Sequence, residues 1–330
     1  MAVSMADITK LRNMTQAGLM DCKNALAETN GDIDAAVEIL RKKGQAVAAK
    51  RADREASEGY VIAKDNGTYA AIVALNCETD FVAKNAGFVA LAQQLIDIAI
   101  ANQIKSVEDL KAFAVDGRTV ADLITEETGK TGEKTEIGAF EYLEGPCVAS
   151  YTHFNNKLGV IVAFNQPNVN AEAAKDVAMQ VASMNPVAAT REDVPEATVK
   201  AEYDIAVEKT KAEQVQKAVE AALKKAGLNP NLLDSEDHIQ SNMAKGWLTE
   251  DEVARAREIM TKVAAEKAAN LPAQMIENIA KGRVNKFYKD SVLMEQEFII
   301  DGKLTVGQYL DKVSKGLVAM AFKRVNLNAD

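Results

Sequence analysis

One pattern is written into this chain twice: two β-rich runs joined by a turn, then an apolar helix. The first copy has strands at residues 60–63 and 69–75, with Asn66-Gly67 between them to supply the positive φ angles of a tight hairpin, and a helix at 88–100. The second has strands at 147–154 and 158–164 around a turn at Asn155-Asn156-Lys157, and a helix at 171–184. An internal repeat outranks any single local pattern. It predicts an α+β fold with duplicated hairpin-plus-helix core subdomains.

The copies differ where hairpin meets helix. The first carries Asn76-Cys77-Glu78-Thr79-Asp80-Phe81-Val82-Ala83-Lys84-Asn85-Ala86-Gly87-Phe88, the second Asn165-Gln166-Pro167-Asn168. Strand-to-helix turns present side chains on rigid supports. Asp80 beside Phe81 joins a carboxylate to an aromatic anchor, a combination suited to a recognition hot spot. Two readings stand side by side. Phe81 is a core residue and Thr79 or Asp80 an N-cap, or the pair projects while Cys77, Val82 and Phe88 hold the turn. The absence of the pair from the second copy moves the balance towards function and leaves both readings open at this point.

Before the repeat, Ile8, Leu11, Leu19, Met20, Ala25, Leu26, Ile33, Val37 and Leu40 recur at helical steps. They predict three short helices in residues 1–44, the third capped by Asp32 and ended by Gly44. The small bundle is similar to ubiquitin-associated domains, and Arg12, Leu19 and Met20 read either as its docking face or, for Leu19 and Met20 taken singly, as core. Residues 45–57, with Lys50, Arg51 and Arg54, read as a basic linker or an RNA-contacting segment. The first core subdomain then spans 58–145 and the second 146–330, with short helices expected at 107–110 and 119–127 and a strand region at 133–144. Within the second, helix-favouring stretches at 195–226 and 249–269 with narrow apolar seams predict a protruding antiparallel coiled-coil arm at about 196–270. A helix at 272–286 and strands at 297–300 and 317–325 complete the expectation.

Several functions find no support. The net charge of −9 argues against a surface devoted to nucleic acid. The two histidines, His153 and His238, and the three cysteines, Cys22, Cys77 and Cys147, have no metal-ligand spacing, so no metal and no cofactor are expected. Gly129-Lys130-Thr131 resembles the end of a phosphate-binding loop, but Ile124 stands where that loop needs glycine, so no direct nucleotide binding is expected. Cys77 as a nucleophile lacks a nearby histidine, and a buried structural thiol is the simpler reading. No signal peptide is visible at the amino terminus, no run reaches membrane-spanning length, and the odd, widely spaced cysteines fit a reducing compartment, so the cytoplasm is the expected location.

Two stretches carry a family resemblance. Thr15-Gln16-Ala17-Gly18-Leu19-Met20-Asp21-Cys22-Lys23-Asn24-Ala25-Leu26 and the stretch from Asn76 to Phe88, supported by Tyr151-Thr152-His153, Gly282-Arg283 and Thr305-Val306-Gly307-Gln308, resemble the bacterial elongation factor Ts family. The resemblance implies a guanine-nucleotide exchange factor of elongation factor Tu, with no covalent chemistry of its own. It implies that Asp80 and Phe81, with Thr79 and Val82, enter the GTPase beside its magnesium and phosphate site. It also implies contacts from His153 and Gly132, and docking through Arg12, Leu19 and Met20. Thr131 precedes Gly132 where the family pattern leads one to expect an apolar residue. The chain ends at Asp330 without the extra carboxy-terminal helix of some members, so the arm, homodimerisation or a 2:2 complex is expected to supply the contact area. A docking scaffold without exchange activity is the alternative.

Overall fold

Residues 3–15 and 17–327 are described in the computed structural model; Gln16 of the amino-terminal signature and the chain ends lie outside them. Three helices come first, α1 (Met5–Thr15), α2 (Leu19–Glu28) and α3 (Ile33–Arg51), around a core of Ile8, Leu11, Cys22, Ala25, Leu26 and Ala36. Asp32 caps α3 by accepting from the Ala35 N–H at 3.0 Å. Gly44 does not end that helix, which continues for two further turns. Its role is contact: a Cβ on Gly129 would fall 2.7 Å from the Gly44 Cα, so two helices cross here backbone to backbone.

The first hairpin pairs β1 (Glu58–Asp65) with β2 (Tyr69–Cys77). Its turn differs from expectation, because only Gly67 takes a positive φ, +95°, while the Asn66 side chain accepts from the Thr68 and Tyr69 N–H groups. There follow a single turn, α4 (Asp80–Ala83), and the apolar helix α5 (Ala86–Asn102). The next elements are α6 (Val107–Ala112), a two-residue hairpin of β3 (Ala114–Val115) and β4 (Arg118–Thr119), α7 (Val120–Thr131) and β5 (Glu136–Glu144). The second hairpin pairs β6 (Cys147–Thr152) with β7 (Leu158–Phe164) and leads into α8 (Ala171–Met184). Four helices intervene, α9 (Glu196–Lys225), α10 (Glu236–Ala244), α11 (Glu250–Ala269) and α12 (Ala273–Ser291). The chain returns through α13 (Val306–Val313) and β8 (Ala319–Asn326). At 297–300 there is an isolated bridge, Glu297 to Thr305, in place of the expected strand.

The sheets are β1-β2-β5 and β6-β7-β8, both antiparallel, so each hairpin gains a third strand beside its second. Strand alternation sorts the core into layers. On β2, Tyr69, Ala71, Val73, Leu75 and Cys77 face α5, α6 and α7, while Ala70, Ile72 and Ala74 face the other sheet. On β7, Val160, Val162 and Phe164 face α8 and α13, and Ile161 and Ala163 meet the first sheet. Both faces of both strands are thus buried, which is why they read as unbroken apolar runs. Gly159 permits a close approach of the sheets: a Cβ there would sit 2.9 Å from Val61 Cγ1.

The chain divides into two compact units, residues 1–190 with 293–330, and residues 191–292. In the second, α9 packs against both α11 and α12, one helix more than the expected two-helix seam. One end encloses Leu223, Leu228, Leu233, Ile239, Leu248, Val253 and Ala256. At the other, the Arg191 guanidinium lies over the Tyr288 ring, 4.4 Å from its centre.

Candidate functional site

The strand β2 delivers Cys77 to the end of the first sheet, fully buried beneath the turn. Burial, then the nearby Glu133 carboxylate, pushes its thiol up to about 12. Burial of this kind disfavours the thiolate, the nucleophilic form, and accords with a structural thiol. Thr79 then caps α4, its hydroxyl accepting from the Val82 N–H at 3.4 Å, and Asn85 caps α5. Ala83 and Phe88 are buried and Val82 packs half-buried against the same core. Between these anchors Phe81 faces solvent, 83% exposed. The core reading of Phe81 is therefore excluded, while the N-cap reading is right for Thr79.

Asp80 is half-exposed and bonded to Lys84 one turn on, at 2.6 Å. That bond, with the charges of Lys84 and Lys157, holds its carboxyl below the usual range. The segment beyond α7 supports the turn from the side. Gly132 closes α7 at φ +73°, and the next residue, Glu133, accepts from the Thr79 N–H and hydroxyl at 3.0 and 2.7 Å. Glu78 accepts from the Lys134 N–H at 2.7 Å, and also from Arg51 and Arg54. The Lys134 bond first, then the arginines, lower its pKa. Two charges of the expected basic linker are thus engaged by the turn's own carboxylate.

The tip of the second hairpin is brought to the same end. The Val61 N–H of β1 donates to the Asn156 carbonyl at 2.7 Å, and Lys157 reaches the Gly59 carbonyl at 3.2 Å and the Glu58 carboxylate. Glu58 lies opposite Cys77 in the strand register, so this tip sits beside the base of the turn. It carries His153, whose Nδ1 meets the Tyr151 hydroxyl at 2.9 Å, and Phe154, 87% exposed with its ring 4.5 Å from the imidazole. Phe154 was not legible as a site residue, because one aromatic beside an Asn-Asn turn gives no periodic signal.

Leu19 and Met20 are exposed on α2, 44% and 58%, and Arg12 is exposed on α1. A cleft of about 730 Å³ runs from Met14 of the bundle to Val82, Asn85, Glu127 and Thr131 at the flank of the turn; Arg12, Leu19 and Met20 do not line it. At its hairpin-to-helix junction the second copy of the repeat carries polar side chains that bond within the chain. Asn165 and Gln166 spend their amides on Lys315, Gly316 and Val318.

Two facing hairpin sheets, with Phe81 turned outward at the end of the first, form the core of the fold. The family model of elongation factor TS matches residues 78–248 and 214–329. Curated proteins named elongation factor Ts are 57% identical in Phocaeicola vulgatus, 56% in Bacteroides thetaiotaomicron and 44% in Porphyromonas gingivalis, each over the whole of both chains. The chain belongs to the elongation factor Ts family, and its class is that of the translation elongation factors.

Proposed function

We propose that this chain is the guanine-nucleotide exchange factor of elongation factor Tu, and that the turn at Asp80 and Phe81 performs the exchange. The observation that carries the reading is the exposure of Phe81 between buried anchors, Cys77 and Ala83. A large aromatic held in water loses apolar hydration only on meeting a partner. Phe81 fills an apolar pocket of the GTPase domain, while Asp80 exchanges Lys84 for polar groups beside the magnesium and phosphate site. Thr79 and Val82 hold the pair in place, and Gly132, His153 and Phe154 extend the contact. Arg12, Leu19 and Met20 dock the bundle on the same partner.

Exchange of this kind needs no covalent step. The factor must bind the nucleotide-free partner better than the nucleotide-bound one, and linkage makes the effect reciprocal: it weakens GDP by the factor by which GDP weakens it. The direction of exchange is then set by which nucleotide is in excess. Stopped-flow release of labelled GDP from elongation factor Tu tests the reading. The chain is expected to accelerate release in a saturable way; an unchanged rate contradicts exchange and leaves a docking scaffold.

A further inference from the structure

Asp80 and Phe81 stand on a helix of four residues, too short to hold its own shape. Other helices of this chain secure their first turn with a complete capping box. Thr119 with Asp122, Thr249 with Glu252 and Thr305 with Gln308 each exchange two bonds between N-cap and N3. At α4 the N3 residue is Val82, which has no side-chain acceptor, so the Thr79 N–H has no partner within its own helix. Glu133 supplies one from 54 residues away, at 3.0 Å, and takes the Thr79 hydroxyl with its other oxygen at 2.7 Å. The exchange runs both ways, since Glu78 accepts from the Lys134 N–H at 2.7 Å. Each segment thus places one carboxylate on the other's backbone.

We propose that Glu133 is a positioning residue of the exchange site: it completes the α4 capping box from another element and, with Glu78, clasps the Asp80-Phe81 turn to the Gly132 loop, so that both meet the partner as one rigid body. At the corresponding junction the second copy uses neutral amides, Asn165 and Gln166, and carries no acid-aromatic pair there. Where a projecting pair must be aimed, charged acceptors do the work, and hydrogen bonds to a carboxylate are about twice as strong as neutral ones.

The inference rests on the exchange reading, and its test separates the two. Labelled GDP release from elongation factor Tu is followed against concentration for the parent, Glu133→Gln, the double variant Asp80→Ala/Phe81→Ala, and the combination of all three substitutions. Glutamine keeps the size of the side chain but offers one acceptor atom in place of two. The expected result is a plateau rate about tenfold lower for Glu133→Gln, with a smaller change in the half-saturating concentration. On the double-variant background the same substitution should have no further effect, because nothing remains to be aimed. Hydrogen exchange at residues 79–83 should quicken in Glu133→Gln while the urea midpoint moves little. A parent-like plateau, or a loss that persists undiminished on the double-variant background, overturns the clasp. If the parent does not accelerate release, the exchange reading falls, and unchanged hydrogen exchange at 79–83 then overturns the clasp on its own.

Discussion

Cys77 and Phe81 flank the same turn and meet opposite environments, the thiol fully buried and the ring in water. The thiol's ordinary value is 9.0, and the folded chain raises it to about 12, chiefly through burial. The folded state therefore holds this proton more tightly than the unfolded state. The stability that follows is whole below pH 9 and is lost as pH climbs towards about 12. Urea midpoints measured across that window should fall, and more steeply in the parent than in Cys77→Ala; parallel slopes would remove the thiol from the account. The same burial predicts that alkylation of the native chain spares Cys22 and Cys77, both fully buried, and labels the half-exposed Cys147 first.

Among the elements, α3 and α7 show how a residue type can mislead. A glycine near the end of a helical pattern reads as a stop signal, so Gly44 was expected to terminate α3. The structure uses it for close approach instead, a long-range demand that no local pattern encodes. The crossing makes an asymmetric prediction. In Gly129→Ala the new methyl meets backbone at 2.7 Å, and the cost should be about 1–3 kcal/mol. In Gly44→Ala its nearest contact is 3.6 Å, and stability should stay within about 1 kcal/mol, helped by alanine's helix preference. Urea denaturation of the two variants decides it, and equal costs would contradict the geometry.

The hairpins, α5 and α8 were legible because their apolar periods are strong and their turns carry Gly and Asn. The apolar runs of β2 and β7 were read as strands, and their burial on both faces is what the structure adds. What stayed hidden depended on contacts distant in sequence: α10, which the sequence left as a connection, the isolated bridge at Glu297, and the bonds from Glu133 to Thr79. For the site, the sequence pointed to Asp80 and Phe81 by their absence from the second copy. It could not show that Asn165 and Gln166 are occupied by internal bonds, which is the physical content of that difference.

Across the whole molecule, the residues proposed to meet elongation factor Tu all lie in the unit formed by residues 1–190 and 293–330. The chain leaves and re-enters that unit at adjacent points, the Leu293 N–H donating to the Ala188 carbonyl at 2.9 Å and the Met294 N–H to Ala189 at 3.1 Å. Replacing residues 191–292 with a short Gly-Ser linker should therefore leave this unit folded, with its own cooperative thermal transition and most of the maximal exchange rate. Loss of that transition would mean that the unit depends on the excised helices. Sedimentation of each form with elongation factor Tu reports whether the excised helices add affinity or set stoichiometry.

The central claim is that an exposed Phe81 drives nucleotide release, and it is tested most directly by stopped-flow release of labelled GDP with the parent and Phe81→Ala. Because the ring is 83% exposed, its removal should leave the urea midpoint nearly unchanged. The maximal rate should fall about 30-fold, the equivalent of losing a hot spot of about 2 kcal/mol. A variant that matches the parent in rate as well as in stability would contradict the account.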